Sequence, residues 1–112
     1  MIKAVYDVAV VVSNARKSTK WYQEKLGFKV RADEGHWVTV APKGERTVLH
    51  LCERKTLEPG NTGIGFLVDG VTKTFEELEA KGVKFTRTPR DDGWGMYAMF
   101  ADPDGNEFWL FE

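Results

Sequence analysis

The sequence has almost none of the residues that form covalent cross-links, because Cys52 is the only cysteine among its 112 residues. A single cysteine excludes an internal disulfide and a cluster of thiolate metal ligands. Charge of either sign is not in excess, since 16 Lys and Arg against 17 Asp and Glu give a net charge of −1. This balance does not favour a nucleic-acid or membrane-surface partner. No apolar run approaches transmembrane length, and no basic segment followed by an apolar run opens the chain, so we expect a cytoplasmic protein.

The sequence does contain the same order of predicted elements twice. A strand at 2–13 and a helix at 15–26 precede strands at 28–32, 36–41 and 46–53; then come a strand at 62–68, a helix at 71–81, and strands at 83–87, 94–101 and 106–112. Asn14 is the expected N-cap of the first helix, and Gly27 and Gly82 end the two helices. The pattern predicts a tandem βαβββ repeat, with modules at about 1–55 and 62–112 and a polar linker at about 54–61.

The final stretch begins with a turn signal, Asp102-Pro-Asp-Gly. Asp102 can accept a backbone hydrogen bond, Pro103 presets φ, and Gly105 tolerates a positive φ. In the strand that follows, alternation places Trp109 and Phe111 on one face. Such turns occur in many folds, so this signal gains meaning only from its place at the end of the repeat.

Taken together, the repeat, the Asn14-capped helix with Trp21 and Tyr22, and the closing Asp102-Pro-Asp-Gly-Asn resemble the vicinal oxygen chelate (VOC) superfamily. That group includes glyoxalase I, bleomycin- and fosfomycin-resistance proteins, methylmalonyl-CoA epimerase and extradiol dioxygenases. The resemblance covers essentially the whole chain and implies one VOC domain at 1–112. The implied fold is α+β, with two tandem βαβββ modules forming open, curled mixed sheets around a cavity. It also implies a homodimer, since small members commonly dimerise.

Four cavity-facing positions hold a divalent metal in the family's enzymes, and the resemblance places them on Asp7, His50, Gly63 and Trp109. Glycine offers no side-chain ligand, and the indole N–H is only a donor. We therefore expect no complete metal centre at these four positions, and the sequence assigns no cofactor. Three interpretations of Asp7 and His50 stay open: a structural hydrogen-bonded pair, two ligands of a divalent ion completed by water or a partner chain, or a catalytic acid–base pair in which Asp7 orients His50.

Side-chain alternation also identifies the expected cavity wall. The residues that we predict to bind ligand there are Asp7, Trp37, His50, Tyr97, Trp109 and Phe111. Gly63 and Gly65 are expected to leave volume beside the rings. This composition favours stacking of a planar or aromatic small molecule, and the alternative is that the rings only fill a core.

Three further features have simpler predicted roles. Cys52 is expected to be a buried structural thiol rather than a nucleophile, and His36 is expected to be exposed beside a turn. The segment 87–92 reads as a solvated hairpin loop, with closure over the cavity mouth as the alternative.

Two functions of different classes follow from these features. The first is a metal-independent binding protein of the bleomycin-resistance type, which captures a planar or hydrophobic small molecule. The second is a lyase or isomerase similar to glyoxalase I or methylmalonyl-CoA epimerase, with a reduced or displaced metal site. The two missing ligand positions favour the first, and fold alone does not decide between them.

Overall fold

Each half of the chain forms a four-stranded sheet with one helix packed on it. The computed structural model describes residues 1–112 as two compact units, Met1–Leu57 and Glu58–Glu112. The elements are β1 (Asp7–Val12), α1 (Ala15–Leu26), β2 (Lys29–Glu34), β3 (Trp37–Ala41), β4 (Val48–Glu53), β5 (Gly60–Leu67), α2 (Val71–Ala80), β6 (Lys84–Asp91), β7 (Met96–Ala101) and β8 (Asn106–Phe111). The strand orders are β1-β4-β3-β2 and β5-β8-β7-β6. The predicted α+β fold of two βαβββ modules with open sheets is confirmed.

Both sheets are mixed, and their pairing is the same in the two units. β1 runs parallel to β4, and β5 runs parallel to β8, while the other neighbours are antiparallel. A parallel pair needs a crossover connection, which here includes the helix and two further strands. The register places Ala9 opposite His50 in the first sheet and Gly65 opposite Trp109 in the second.

The first helix starts and stops where local chemistry predicts. The Asn14 side chain accepts the Lys17 N–H at 2.9 Å, and Gly27 adopts φ 72°, which lets the Phe28 N–H reach the Tyr22 carbonyl at 3.2 Å. Tyr22 is fully buried on the face that packs against the sheet. Neither helix has the length and hydrophobicity that crossing a membrane requires.

A glutamate at the last position of a strand, or directly after it, supports the start of each helix. Glu53 Oε1 accepts the Ala15 N–H at 2.8 Å, and Glu112 Oε1 accepts the Val71 N–H at 2.9 Å. A carboxylate is favourable at this end of a helix because the first N–H groups carry partial positive charge. The sequence repeat predicted the helices but not this shared non-local contact.

The strand boundaries differ most from the sequence prediction at the start of β1 and at the end of β6. β1 begins at Asp7 rather than near residue 2, and residues 1–6 lie outside the ladder. β6 continues to Asp91, so most of the segment predicted as a hairpin loop pairs with β7. Pro89 is tolerated there because β6 is an edge strand and its register shifts between Arg87 and Arg90.

The Asp-Pro-Asp-Gly turn forms as predicted around a buried carboxylate. Asp102 Oδ1 accepts the backbone N–H groups of Asp104 at 3.0 Å and Asn106 at 2.9 Å. Asp102 Oδ2 accepts the Asn106 side-chain amide at 2.9 Å, and Gly105 has φ 84°. Asp102 is only 5% exposed, so these bonds replace the water that the carboxylate loses.

Candidate functional site

The first unit brings Trp37 and His50 together on the sheet face that α1 does not cover. Their ring centroids are 4.4 Å apart, and the Tyr6 ring lies parallel to Trp37 at 6.5 Å. Thr39 is opposite His50 in the ladder, which confirms that β3 and β4 present these side chains on one face. His50 and Trp37 are half-buried, whereas their neighbours Leu49 and Leu51 are buried.

Asp7 and His50 do not form the pair considered from the sequence. The parallel register places Asp7 opposite Val48, two positions before the partner of His50. No ion pair joins the two side chains, and His50 Nε2 instead lies 3.3 Å from the His36 carbonyl oxygen. Asp7 therefore does not orient the His50 imidazole in this structure. His36 is exposed, as predicted.

The residues at the four expected ligand positions do not fit a divalent metal. Asp7 and His50 belong to the first sheet, while Gly63 and Trp109 belong to the second and offer no side-chain electron pair to a cation. No group of three or more His, Cys, Asp or Glu side chains lies close enough together to hold a metal ion.

The second unit collects aromatic rings on one side of its sheet. Trp109 and Phe111 are nearly parallel, with centroids 6.0 Å apart, and Tyr97 lies 5.4 Å from Trp109. Trp94 stacks on Tyr97 at 4.6 Å. We call Trp94, Tyr97, Trp109 and Phe111 the aromatic face. The structure thus brings together the three predicted residues of this unit and adds Trp94, whose only sequence signal was its position between Gly93 and Gly95.

Exposure differs across the aromatic face. Tyr97 is 2% exposed, Trp109 and Phe111 are half-buried, and Trp94 is 58% exposed. A large ring that is mostly exposed is unfavourable in water unless a partner covers it. The aromatic face therefore has apolar ring surface available for a ligand.

Gly65 does not leave the empty volume that the sequence suggested. A Cβ placed on Gly65 would clash with Cε2 of Phe111, so the Phe111 ring already occupies the space above this glycine. Around Gly63 the space is open, but its φ of 75° disfavours any other residue. The small residue at position 65 serves to seat one ring of the aromatic face.

The Trp109 indole is held by a residue that the sequence placed in the linker. Asn61 Oδ1 accepts the Trp109 Nε1–H at 2.8 Å and the Gly63 backbone N–H at 2.8 Å. The contact depends on the register irregularity of β5 between Asn61 and Gly65. The bond to Asn61 fixes the orientation of the indole ring. No local sequence pattern predicts a bond between residues so far apart in the chain.

Asn61→Ala should release this indole. We expect a changed chemical shift of the Trp109 indole N–H and a loss of about 1 kcal/mol in the free energy of unfolding, as for a typical hydrogen bond. The measurements are ¹⁵N-indole NMR and urea denaturation. Asn61→Asp, which keeps an oxygen acceptor, is the matched control and should retain the hydrogen-bonded shift. An unchanged indole resonance in Asn61→Ala would contradict the assignment.

A polar network holds Tyr97 in place within the aromatic face. The Tyr97 hydroxyl donates to Asp92 Oδ2 at 2.6 Å and accepts from Arg87 Nη1 at 3.0 Å, while Arg90 pairs with Asp92 at 2.8 Å. The hydrogen bond from Tyr97 is the main cause that lowers the pKa of Asp92. A lowered folded-state pKa means that this contact stabilises the fold at neutral pH, and the stabilisation is lost as pH falls through that pKa.

Two clefts in the first unit are more polar than the aromatic face of the second. One of about 500 Å³ lies beside α1 and includes Arg16, Lys20 and Asp33 in its wall. The other, of about 290 Å³, is bordered by His50 and by Cys52, which is half-buried rather than fully buried. Neither cleft includes a Trp, Tyr or Phe side chain, so neither resembles a stacking site.

Several known proteins are similar to this chain in sequence or in fold. The chain matches the model of the Glyoxalase/Bleomycin resistance protein/Dioxygenase superfamily over residues 5–110. It is 36% identical over 120 residues to the uncharacterized protein YetH of Bacillus subtilis (strain 168), covering 100% of both chains. The solved structure of TnmS3, an antibiotic binding protein from Streptomyces sp. CB03234, is 37% identical with a TM-score of 0.86, covering 98% of this chain and 95% of that one.

A third similar protein is named as an enzyme. The probable chloroplastic lactoylglutathione lyase of Arabidopsis thaliana is 29% identical over 127 residues, which span all of this chain and 35% of that protein. The match of the family model to nearly the whole chain agrees with the βαβββ modules described above. The chain therefore belongs to the Glyoxalase/Bleomycin resistance protein/Dioxygenase superfamily.

Proposed function

We propose that this protein binds a planar, largely apolar small molecule against its aromatic face and needs no metal ion to do so. The observation that carries the proposal is the group of ring contacts at 4.6–6.4 Å that links Trp94, Tyr97, Trp109 and Phe111. Stacking between aromatic rings contributes about 0.5–1.5 kcal/mol beyond the burial of apolar area. Several such contacts would give useful affinity without a cation.

The similarity to TnmS3 supports a binding role. That protein is an antibiotic binding protein, and it shares more than a third of its residues with this chain. The lyase alternative lacks support from the side chains, because Gly63 and Trp109 replace the donors that a metal-dependent reaction of this family requires. The ligand-binding role predicted for Asp7, Trp37 and His50 of the first sheet stays a proposal.

Titration with a planar aromatic probe tests the proposal. We expect a polycyclic aromatic compound to quench tryptophan fluorescence saturably, with the same dissociation constant in the presence and absence of EDTA. Calorimetry on the same samples should give a matching constant. Trp21→Phe is the matched control, because Trp21 contacts Tyr22 on α1 and lies outside the aromatic face. Absence of saturable binding, or its loss with EDTA, would contradict the proposal.

A further inference from the structure

Most polar atoms beside the aromatic face already have partners. The Tyr97 hydroxyl both donates and accepts, the Trp109 indole N–H is bonded to Asn61, and Asn61 Oδ1 accepts two hydrogen bonds. Asp92 accepts from Tyr97 and pairs with Arg90. Apart from the uncharged side-chain N–H groups of Asn61, none of these groups is free to recognise a polar substituent on a stacked ligand.

Arg87 is a charged side chain beside the aromatic face that keeps unbonded N–H donors. It lies opposite Met99, which in turn lies opposite Trp109, so the ladder places Arg87 in the same cross-strand row as the central indole. Its guanidinium carbon is 5.9 Å from the centroid of the Tyr97 ring, and only Nη1 donates, to the Tyr97 hydroxyl. No carboxylate lies within ion-pair distance of Arg87.

The neighbouring acidic side chains of Asp92 and Glu107 attract Arg87 electrostatically, but neither forms an ion pair with it. Glu107 Oε2 accepts from the Thr86 hydroxyl at 2.9 Å, and Asp92 is taken by Tyr97 and Arg90. Arg87 is exposed, so its remaining N–H donors face solvent. A guanidinium offers a planar fork that matches the two oxygens of a carboxylate. The bond to Tyr97 also holds the guanidinium beside the rings before a ligand arrives, which reduces the entropic cost of binding.

We propose that Arg87 makes the aromatic face selective for planar aromatic molecules that carry a carboxylate. The ring of such a ligand would stack on the aromatic face, and its carboxylate would accept hydrogen bonds from the free donors of Arg87. This inference rests on the proposed function, because it assigns the ligand class of the same site.

Matched probes separate the ring contribution from the charge contribution. Calorimetry compares 2-naphthoate with its neutral isostere 2-naphthamide in the wild-type protein and in Arg87→Gln. We expect the wild type to bind naphthoate about tenfold more tightly than the amide, as for a charge-assisted hydrogen bond. In Arg87→Gln the ratio of the two dissociation constants should fall to about one, whatever change the loss of the Tyr97 contact causes in the affinity for the amide. Lys84→Gln removes one exposed positive charge from the same strand and should leave the preference intact.

Salt provides a second measurement that does not depend on a variant. The naphthoate preference of the wild-type protein should decrease between low and high NaCl, because exposed charges are screened. Equal binding of both probes by the wild type would overturn the role of Arg87 and leave the binding function standing. A preference that persists in Arg87→Gln, or that is independent of salt, would also overturn it. If the wild type binds neither probe, both the binding function and this ligand class fail.

Discussion

Trp109→Ala is expected to weaken the binding of a planar aromatic probe about 30-fold, which corresponds to roughly 2 kcal/mol, the size of a hot-spot residue. Trp109 contacts both Tyr97 at 5.4 Å and Phe111 at 6.0 Å, so its removal breaks the continuous ring surface at its centre. Cooperative unfolding should survive, since Trp109 is half-buried and points away from the buried side chains of Phe108 and Leu110. Calorimetric titration measures the affinity, and urea denaturation measures the fold.

Trp109→Phe separates the ring from its hydrogen bond. Phenylalanine keeps a flat apolar face but cannot donate to Asn61, so we expect it to lose no more than about fivefold in affinity, as for one neutral hydrogen bond. The proposal fails if Trp109→Ala abolishes cooperative unfolding and the wild-type protein binds no aromatic probe. In that case Trp109 is part of the packed core.

Asp102→Ala is expected to lower the free energy of unfolding by about 3 kcal/mol, because it leaves three N–H donors without their acceptor in a buried turn. At typical unfolding entropies this corresponds to a drop in Tm of roughly 15 °C. Differential scanning calorimetry gives both quantities.

Asp102→Asn is the matched control for this turn. Its carbonyl oxygen can replace Oδ1, but its amide group meets the Asn106 amide where Oδ2 had accepted. We therefore expect about half of the loss seen in Asp102→Ala. A loss below about 1 kcal/mol in Asp102→Ala would mean that Pro103 and Gly105 define the turn without the carboxylate.

The parts of this fold that the sequence predicted depend on neighbours along the chain. Asn14 marks the start of α1 because its side chain bonds to the backbone of Lys17, three residues along the chain. Gly27 marks the end of α1 because it adopts a positive φ. Alternation within β8 likewise placed Trp109 and Phe111 on one face. Such signals are local, so one sequence is enough to read them.

The parts that the sequence missed depend on register and on distant residues. Asp7 and His50 do share a face, but the parallel ladder offsets them by two positions, and no periodicity encodes that offset. The bond from Trp109 to Asn61 arises beside the register irregularity of β5, and the bond from Tyr97 to Asp92 arises directly after the end of β6. Bulges re-aim side chains in ways that an alternating pattern does not reveal.

The parallel pairing of the first and fourth strands in each unit has a kinetic consequence. β1 meets β4, and β5 meets β8, only after about 40 intervening residues have been brought together. Before strands so far apart in sequence can pair, the chain between them must lose conformational entropy. Refolding should therefore be slower than for a helical protein of this size. During synthesis, β1 has no partner strand until β4, which ends at Glu53, has left the ribosome. Until then both edges of β1 are unpaired and can pair with strands of other chains.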